Sequence, residues 1–294
     1  MGITNSIVSY RRFLKRRNYS LHSIKNYMNI LKQFVLWLDV PLEEATNQKM
    51  LEYIDRLLGR RLKPKTINCH LACISGFYGY LDHELGIKLT NPVKTGYCLR
   101  LPKPLPRSLR LEEIDMVFDV MKTRRDRAMF KVMLRCGLRV EEVAGLTLSA
   151  IDLRRQQIIV HNGKGGKARM VYISNDARDA LAGYLEVRPA CKAKKIFLVE
   201  KGPCRGTPIS VRGIQKRMEY YARKAGLKIS CHQLRHTMAT QLLNADAQLS
   251  TIQDLLGHNW VTTTERYCKV SNLKVKRDYY KAMEAVLLRT IPDG

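Results

Sequence analysis

None of the eight cysteines (Cys69, Cys73, Cys98, Cys136, Cys191, Cys204, Cys231 and Cys268) forms a CxxC pair with another. That absence excludes zinc ribbons and dithiol redox centres of the usual spacing. No apolar run reaches the ~20 residues that a membrane-spanning helix needs, and the N-terminus lacks the apolar core of a secretory leader. No internal repeat or low-complexity tract is present, so a solenoid or a disordered tail is not indicated. Acidic residues are scarce, with 26 Asp and Glu against 52 Lys and Arg. A soluble, cytoplasmic protein with reduced thiols is expected, most of the cysteines lying in helix-like, apolar surroundings.

What the chain does have is a formal net charge of +26 over 294 residues. Charge of this size bears on partners rather than on fold, and nucleic acid is the default polyanion. Both the first hundred residues and the remainder carry a surplus of Lys and Arg. The charge therefore belongs to two folded parts and not to a basic tail.

Residues 1–92 read as a four-helix unit. Apolar residues recur at three- and four-residue spacing through Ile7–Leu14 and Ile24–Leu38, with Ser20 as the cap of the second helix. Thr46 caps a third helix through Met50–Leu58, and Pro64 and Thr66 open a fourth that Gly86 closes. Residues 93–110 hold Pro102, Pro104 and Pro106 among Lys and Arg, which predicts a stiff, basic, non-helical linker. From 111 to 294 helical periodicity returns, broken once at Gln157–His161 and Arg169–Ile173. Those two β-branched runs flank Asn162-Gly163-Lys164-Gly165-Gly166-Lys167 and suit a hairpin. The fold class expected is mainly α with one small antiparallel β-sheet, in two domains.

The segment His232-Gln233-Leu234-Arg235-His236 has the spacing of a zinc-protease helix, but Gln233 stands where a general-base Glu is required. That reading fails on chemistry. Arg235 instead shares a helical face with His232, giving a guanidinium and an imidazole suited to phosphate. Gly137-Leu138-Arg139 sets an arginine at a helix junction, with Glu142 one turn on, placed to brace a neighbouring cation or imidazole. Gly257 ends a helix and projects His258, and nine residues later stands Tyr267. Each feature alone is more often structural than catalytic.

In this combination and order, Gly-Leu-Arg, Gly-Lys-Gly, His-x-Leu-Arg-His, Leu-Gly-His and the following Tyr resemble the tyrosine recombinase (phage integrase) family. The resemblance covers about Leu111 to Val270, and the four-helix unit looks like the family's core-binding domain. It implies Arg139 and Arg235 as the catalytic arginines, Lys164 as the hairpin lysine and His232 and His258 as the active-site histidines. Glu142 becomes the supporting carboxylate and Tyr267 the nucleophile. The implied reaction breaks and rejoins DNA through a 3′-phosphotyrosine and a Holliday junction, with no cofactor, metal or ATP.

Implied partners are a double-stranded DNA site, gripped by a C-shaped clamp of the two domains, and three further copies in a homotetramer. The C-terminal helix of residues 272–289 would dock between those copies, and accessory proteins are possible partners. Because the chain begins directly with the core-binding unit, a simple recombinase of the Xer kind or a mobile-element enzyme is expected. A type IB topoisomerase-like enzyme would use the same chemistry as a monomer, but the core-binding unit and terminal helix argue against it. A catalytically silent DNA-binding regulator would leave the five motifs unexplained.

Overall fold

The computed structural model describes residues 3–102, 107–161, 168–257, 279, 280 and 283. The chain divides into two compact units, Met1–Lys103 and Pro104–Gly294. Among the described residues no helix is long and apolar enough to cross a membrane.

The first unit holds α1 (Ile3–Arg16), α2 (Leu21–Trp37), α3 (Asn47–Gly59) and α4 (Pro64–Leu85). Their ends follow local chemistry. The Ser20 hydroxyl accepts from the Ser23 N–H at 3.0 Å and the Thr46 hydroxyl from the Lys49 N–H at 3.3 Å. Pro64 occupies the first turn of α4, and Gly86 ends it in the left-handed region at φ 66°. α4 is the core element, burying Ile67, Leu71, Ile74, Phe77 and Leu81 against Tyr10, Leu31, Phe34 and Leu57. Its polar groups are satisfied in place: the Tyr78 hydroxyl donates to the Leu42 carbonyl at 2.9 Å, and Tyr53 pairs with His70 Nδ1 at 3.0 Å.

Residues 91–99 depart from the expected non-helical connector. They hold a 3-10 turn at Thr95–Tyr97 and pack Val93, Tyr97 and Leu99 against the core of the first unit. The Asn68 amide clamps both backbone groups of Leu99, donating to its carbonyl and accepting from its N–H at 2.9 Å each. Between Pro92 and Pro102 no proline removes a donor, so that stretch is free to turn and bond.

The second unit begins with α5 (Leu111–Asp119), α6 (Arg124–Cys136) and α7 (Val140–Gly145). Strands β1 (Ile151–Asp152), β2 (Gln157–Val160) and β3 (Arg169–Tyr172) follow. The remaining described helices are α8 (Asn175–Val187), α9 (Val211–Lys224), α10 (Cys231–Asn244) and α11 (Leu249–Leu256). The sheet is antiparallel in the order β1-β2-β3, with Ile158 opposite Val171 and Ile159 opposite Met170. The two-residue period turns Ile158, Val160 and Val171 inward and leaves Ile159, Met170 and Tyr172 exposed. β1, too short to carry a period of its own, was not legible in the sequence. The hairpin of residues 162–167 and the helix of 272–289 lie outside the described residues, apart from helical positions at 279, 280 and 283.

α6 runs through the middle of this unit, burying Ala128, Met129, Phe130, Val132, Met133, Leu134 and Cys136. Met238, Ala239, Leu243, Ile252 and Leu256 form a smaller cluster joining α10 to α11. The seven described cysteines are all free, and the expectation for them is corrected: Cys73, Cys136 and Cys231 are buried, whereas Cys69, Cys98, Cys191 and Cys204 are exposed. Of the four exposed ones only Cys69 lies in a helix, on its outer face, whereas Cys98, Cys191 and Cys204 stand in turns and loops between elements.

Candidate active site

Three chain reversals build the site, and glycine makes two of them. α6 ends at Gly137 in the left-handed region (φ 63°), where a β-carbon would come within 3.0 Å of Met238 Sδ and 3.1 Å of Leu256. Glycine is required there both by dihedral and by space. Two residues on, Arg139 is the N-cap of α7, and the Glu142 carboxylate accepts from its backbone N–H at 2.8 Å. α11 ends at Gly257, again left-handed at φ 59°. The third reversal opens α10, where the Gln233 side-chain oxygen accepts from the Ser230 N–H at 2.7 Å. The residue that excluded a zinc-protease reading thus caps the helix that presents His232 and Arg235.

These elements bring four of the sequence-derived residues together. Glu142 Oε1 accepts from Arg139 Nη1 at 2.8 Å, and Arg139 Nη2 donates to the Gly257 carbonyl at 3.1 Å. Arg235 is 2% exposed, its guanidinium donating to the carbonyls of Gly137 and Leu256. Arg139, His232 and Arg235 line one cleft of ≈ 500 Å³ together with Glu141, Arg212, Gln215, Glu219 and Cys231. The His232 ring stands edge-on to that of His236, with centroids 4.3 Å apart. Burial pushes the Cys231 thiol up to about 12, so it enters the cleft as a neutral group at neutral pH. Lys164, His258 and Tyr267 lie outside the described residues.

One residue at this site was missed in the sequence. Arg169, the first residue of β3, forms a fork on Glu142, Nη1 to Oε1 and Nη2 to Oε2, at 2.8 Å each. Its Nε donates to the Leu255 carbonyl at 2.8 Å. A signal existed: the strand period puts Arg169 on the inward face with Val171, and an inward-facing arginine demands a carboxylate. Glu142 is that carboxylate. Burial alone would raise its pKa, but the hydrogen bonds from Arg169 and Arg139 and their charges hold it down to about 2. Chemically, this is a cleft where the Arg139, Arg212 and Arg235 guanidinium groups and the His232 imidazole outnumber the carboxylates of Glu141 and Glu219, suited to an oxyanion.

The family model described as "Phage integrase family" matches residues 107–273. The chain belongs to the phage integrase family of tyrosine recombinases. A second model of the family, its N-terminal SAM-like domain, matches residues 7–86. Among relatives of this recombinase, the tyrosine recombinase XerC of Staphylococcus haemolyticus is 33% identical, covering 94% of this chain and 95% of that one. The Tn1549 transposon integrase, solved in complex with transposon right end DNA, superposes with a TM-score of 0.77 at 18% identity, covering 95% of this chain and 99% of that one. A lambda integrase tetramer solved on a Holliday junction gives 0.74 at 19%, covering 91% and 77%. At those identities the solved structures speak for the fold of the recombinase: a mainly helical protein with a small antiparallel sheet, its catalytic domain preceded by a SAM-like one.

Proposed function

We propose that this tyrosine recombinase acts site-specifically on double-stranded DNA, joining and exchanging strands through a 3′-phosphotyrosine and a Holliday junction. The observation that carries the reading is the convergence of Arg139, His232 and Arg235 on one cleft, with Glu142 beneath. A phosphodiester resists attack because the nucleophile meets an anion and the pentavalent transition state gathers more negative charge. Fixed donors around the non-bridging oxygens lower that barrier. Arg139 and Arg235 supply planar, always-charged donors, and His258 adds one more.

The Tyr267 oxygen attacks phosphorus in line as the bond to the 5′-oxygen breaks. An ordinary phenol holds its proton at neutral pH, so a base is needed, and His232 takes that role. Lys164 returns a proton to the departing 5′-oxygen, and Glu142 keeps Arg139 in place. The phosphotyrosyl ester conserves the energy of the broken phosphodiester bond, and a 5′-hydroxyl from another strand attacks the phosphorus, releases the Tyr267 oxygen and completes exchange.

In this reading residues 1–92, with 93–99 packed onto them, bind the core of the DNA site, the rest of the segment to residue 110 links the domains, and residues 111–294 carry catalysis. The net charge of +26 supports phosphate contact by both halves. Four copies assemble on two duplexes, coupled by the helix of residues 272–289, with its apolar set Tyr279, Ala282, Met283, Val286 and Leu287. The work is done in the cytoplasm, either resolving dimers of circular DNA or moving a mobile element.

The test is covalent capture on a library of nicked duplexes, whose cleaved end diffuses away and traps the adduct. The unaltered protein is expected to yield a denaturation-resistant DNA adduct, and Tyr267→Phe to bind the same duplexes without one. Adducts of equal yield from Tyr267→Phe would sink the assignment.

A further inference from the structure

Arg169 ties three parts of the site to one another. Its fork holds both oxygens of Glu142, its Nε holds the last carbonyl but one of α11, and its stem lies against Gly257. A β-carbon at Gly257 would sit 3.0 Å from Arg169 Cδ and 3.2 Å from Nε. β3 therefore meets α7 and the end of α11 through one side chain that is only 10% exposed, on a carboxylate that is 4% exposed. His258 is the next residue after Gly257, and Lys164 precedes β3 by five positions.

Charge bears on the site as strongly as position. Arg139 alone with Glu142 would be a neutral pair, and a neutral pair attracts an incoming phosphate weakly. Glu142 faces two guanidinium groups, so the trio carries a net positive charge at the side chain proposed to meet the phosphate. The fork also leaves the carboxylate no freedom to turn. Oε1 is shared by Arg139 Nη1 and Arg169 Nη1, and Oε2 by the Arg139 N–H and Arg169 Nη2. Arg139 is thus braced at backbone and side chain by a group that Arg169 has already fixed.

We infer that Arg169 is a positioning residue for strand cleavage: it neutralises and locks Glu142, so that Arg139 keeps both its geometry and its charge for the DNA phosphate. Gly257 is required in part because Arg169 fills the space beside it. This rests on the recombinase reading above, and the experiment separates the two.

The substrate is a nicked duplex recovered from the capture library, and the readout is the rate of Tyr267 adduct formation at saturating protein, well below each variant's melting temperature. Arg169→Gln is expected to slow adduct formation about 100-fold, the usual cost of misplacing a reacting group by about 1 Å. Its Kd for the duplex should stay within about threefold, because many phosphates share the binding. Arg169→Lys, which keeps the charge and loses the fork, is expected to recover part of that rate. Gly257→Ala should slow cleavage too, and adding it to Arg169→Gln should cost less than it does alone, as both act on one contact.

A folded Arg169→Gln protein cleaving within threefold of the unaltered rate overturns the role, as does Arg169→Lys at the full rate. If Arg169→Gln does not fold, Arg169→Lys and Gly257→Ala decide by the same rates. Absence of adduct from the unaltered protein overturns the recombinase reading and this role with it, whereas normal cleavage by the variants sinks this role alone.

Discussion

Replacing Glu142 by Gln keeps the size of the side chain and removes its charge, which tests the centre of the site. Both carboxylate oxygens are approached only by donors, two each, at 2.8 Å. Whichever way the amide is turned, its NH2 group confronts two N–H donors, and two guanidinium groups lose their counter-ion. Removing one partner of a buried ion pair costs about 3–5 kcal/mol. A second route to the magnitude uses the carboxyl itself, held at about 2 against a reference of 4.5. That difference corresponds to about 3 kcal/mol.

The sign is that of a depressed carboxylate. The contribution is present above the unfolded-state pKa and is lost as pH falls towards 2. Urea unfolding of the two proteins should therefore differ by about 3 kcal/mol at pH 7 and by less than half of that at pH 3. The variant's melting temperature at pH 7 should fall by roughly 6–12 °C for a unit of this size. A gap under about 1 kcal/mol at pH 7, well below the cost of breaking such a pair, would refute the reasoning. So would a gap that stays the same at pH 3.

Arg139→Lys keeps a cation but puts a point charge in place of the planar fork whose two nitrogens now join Glu142 and the Gly257 carbonyl. Adduct formation should drop by about 100-fold or more with DNA binding retained, read in a single-turnover capture assay. Asp126 lies wholly buried, accepting from Arg125 at 2.7 and 2.8 Å and from Arg217 Nε and the Tyr221 hydroxyl at 2.8 Å. Asp126→Asn should destabilise the protein by about 3–5 kcal/mol, seen as a lower urea midpoint. Adduct formation per folded molecule should be unchanged, because none of these groups lines the cleft.

Elements set by short-range chemistry were legible without coordinates. Ser20, Thr46, Gly86, Gly137 and Gly257 each mark a helix end through a side-chain oxygen or a left-handed backbone, and both act within a few residues. The mainly helical class with a small sheet followed from the apolar period in the same way. The segment after Pro92 was misjudged because what ties it down is Asn68, about thirty residues earlier and on another element. β1 escaped notice because two residues cannot show a period.

The site divides along the same line. Which residue types were present, and in what order, was written in the chain, and so were the glycines that free the backbone beside Arg139 and His258. That Arg169 belongs with Arg139 and Glu142 was decided only by folding, which pairs β2 with β3 and packs the end of α11 against β3. A strand period shows that an arginine points inward. Only the packed structure shows which carboxylate it meets, because burying a guanidinium is tolerable only where tertiary contacts bring a counter-charge to it.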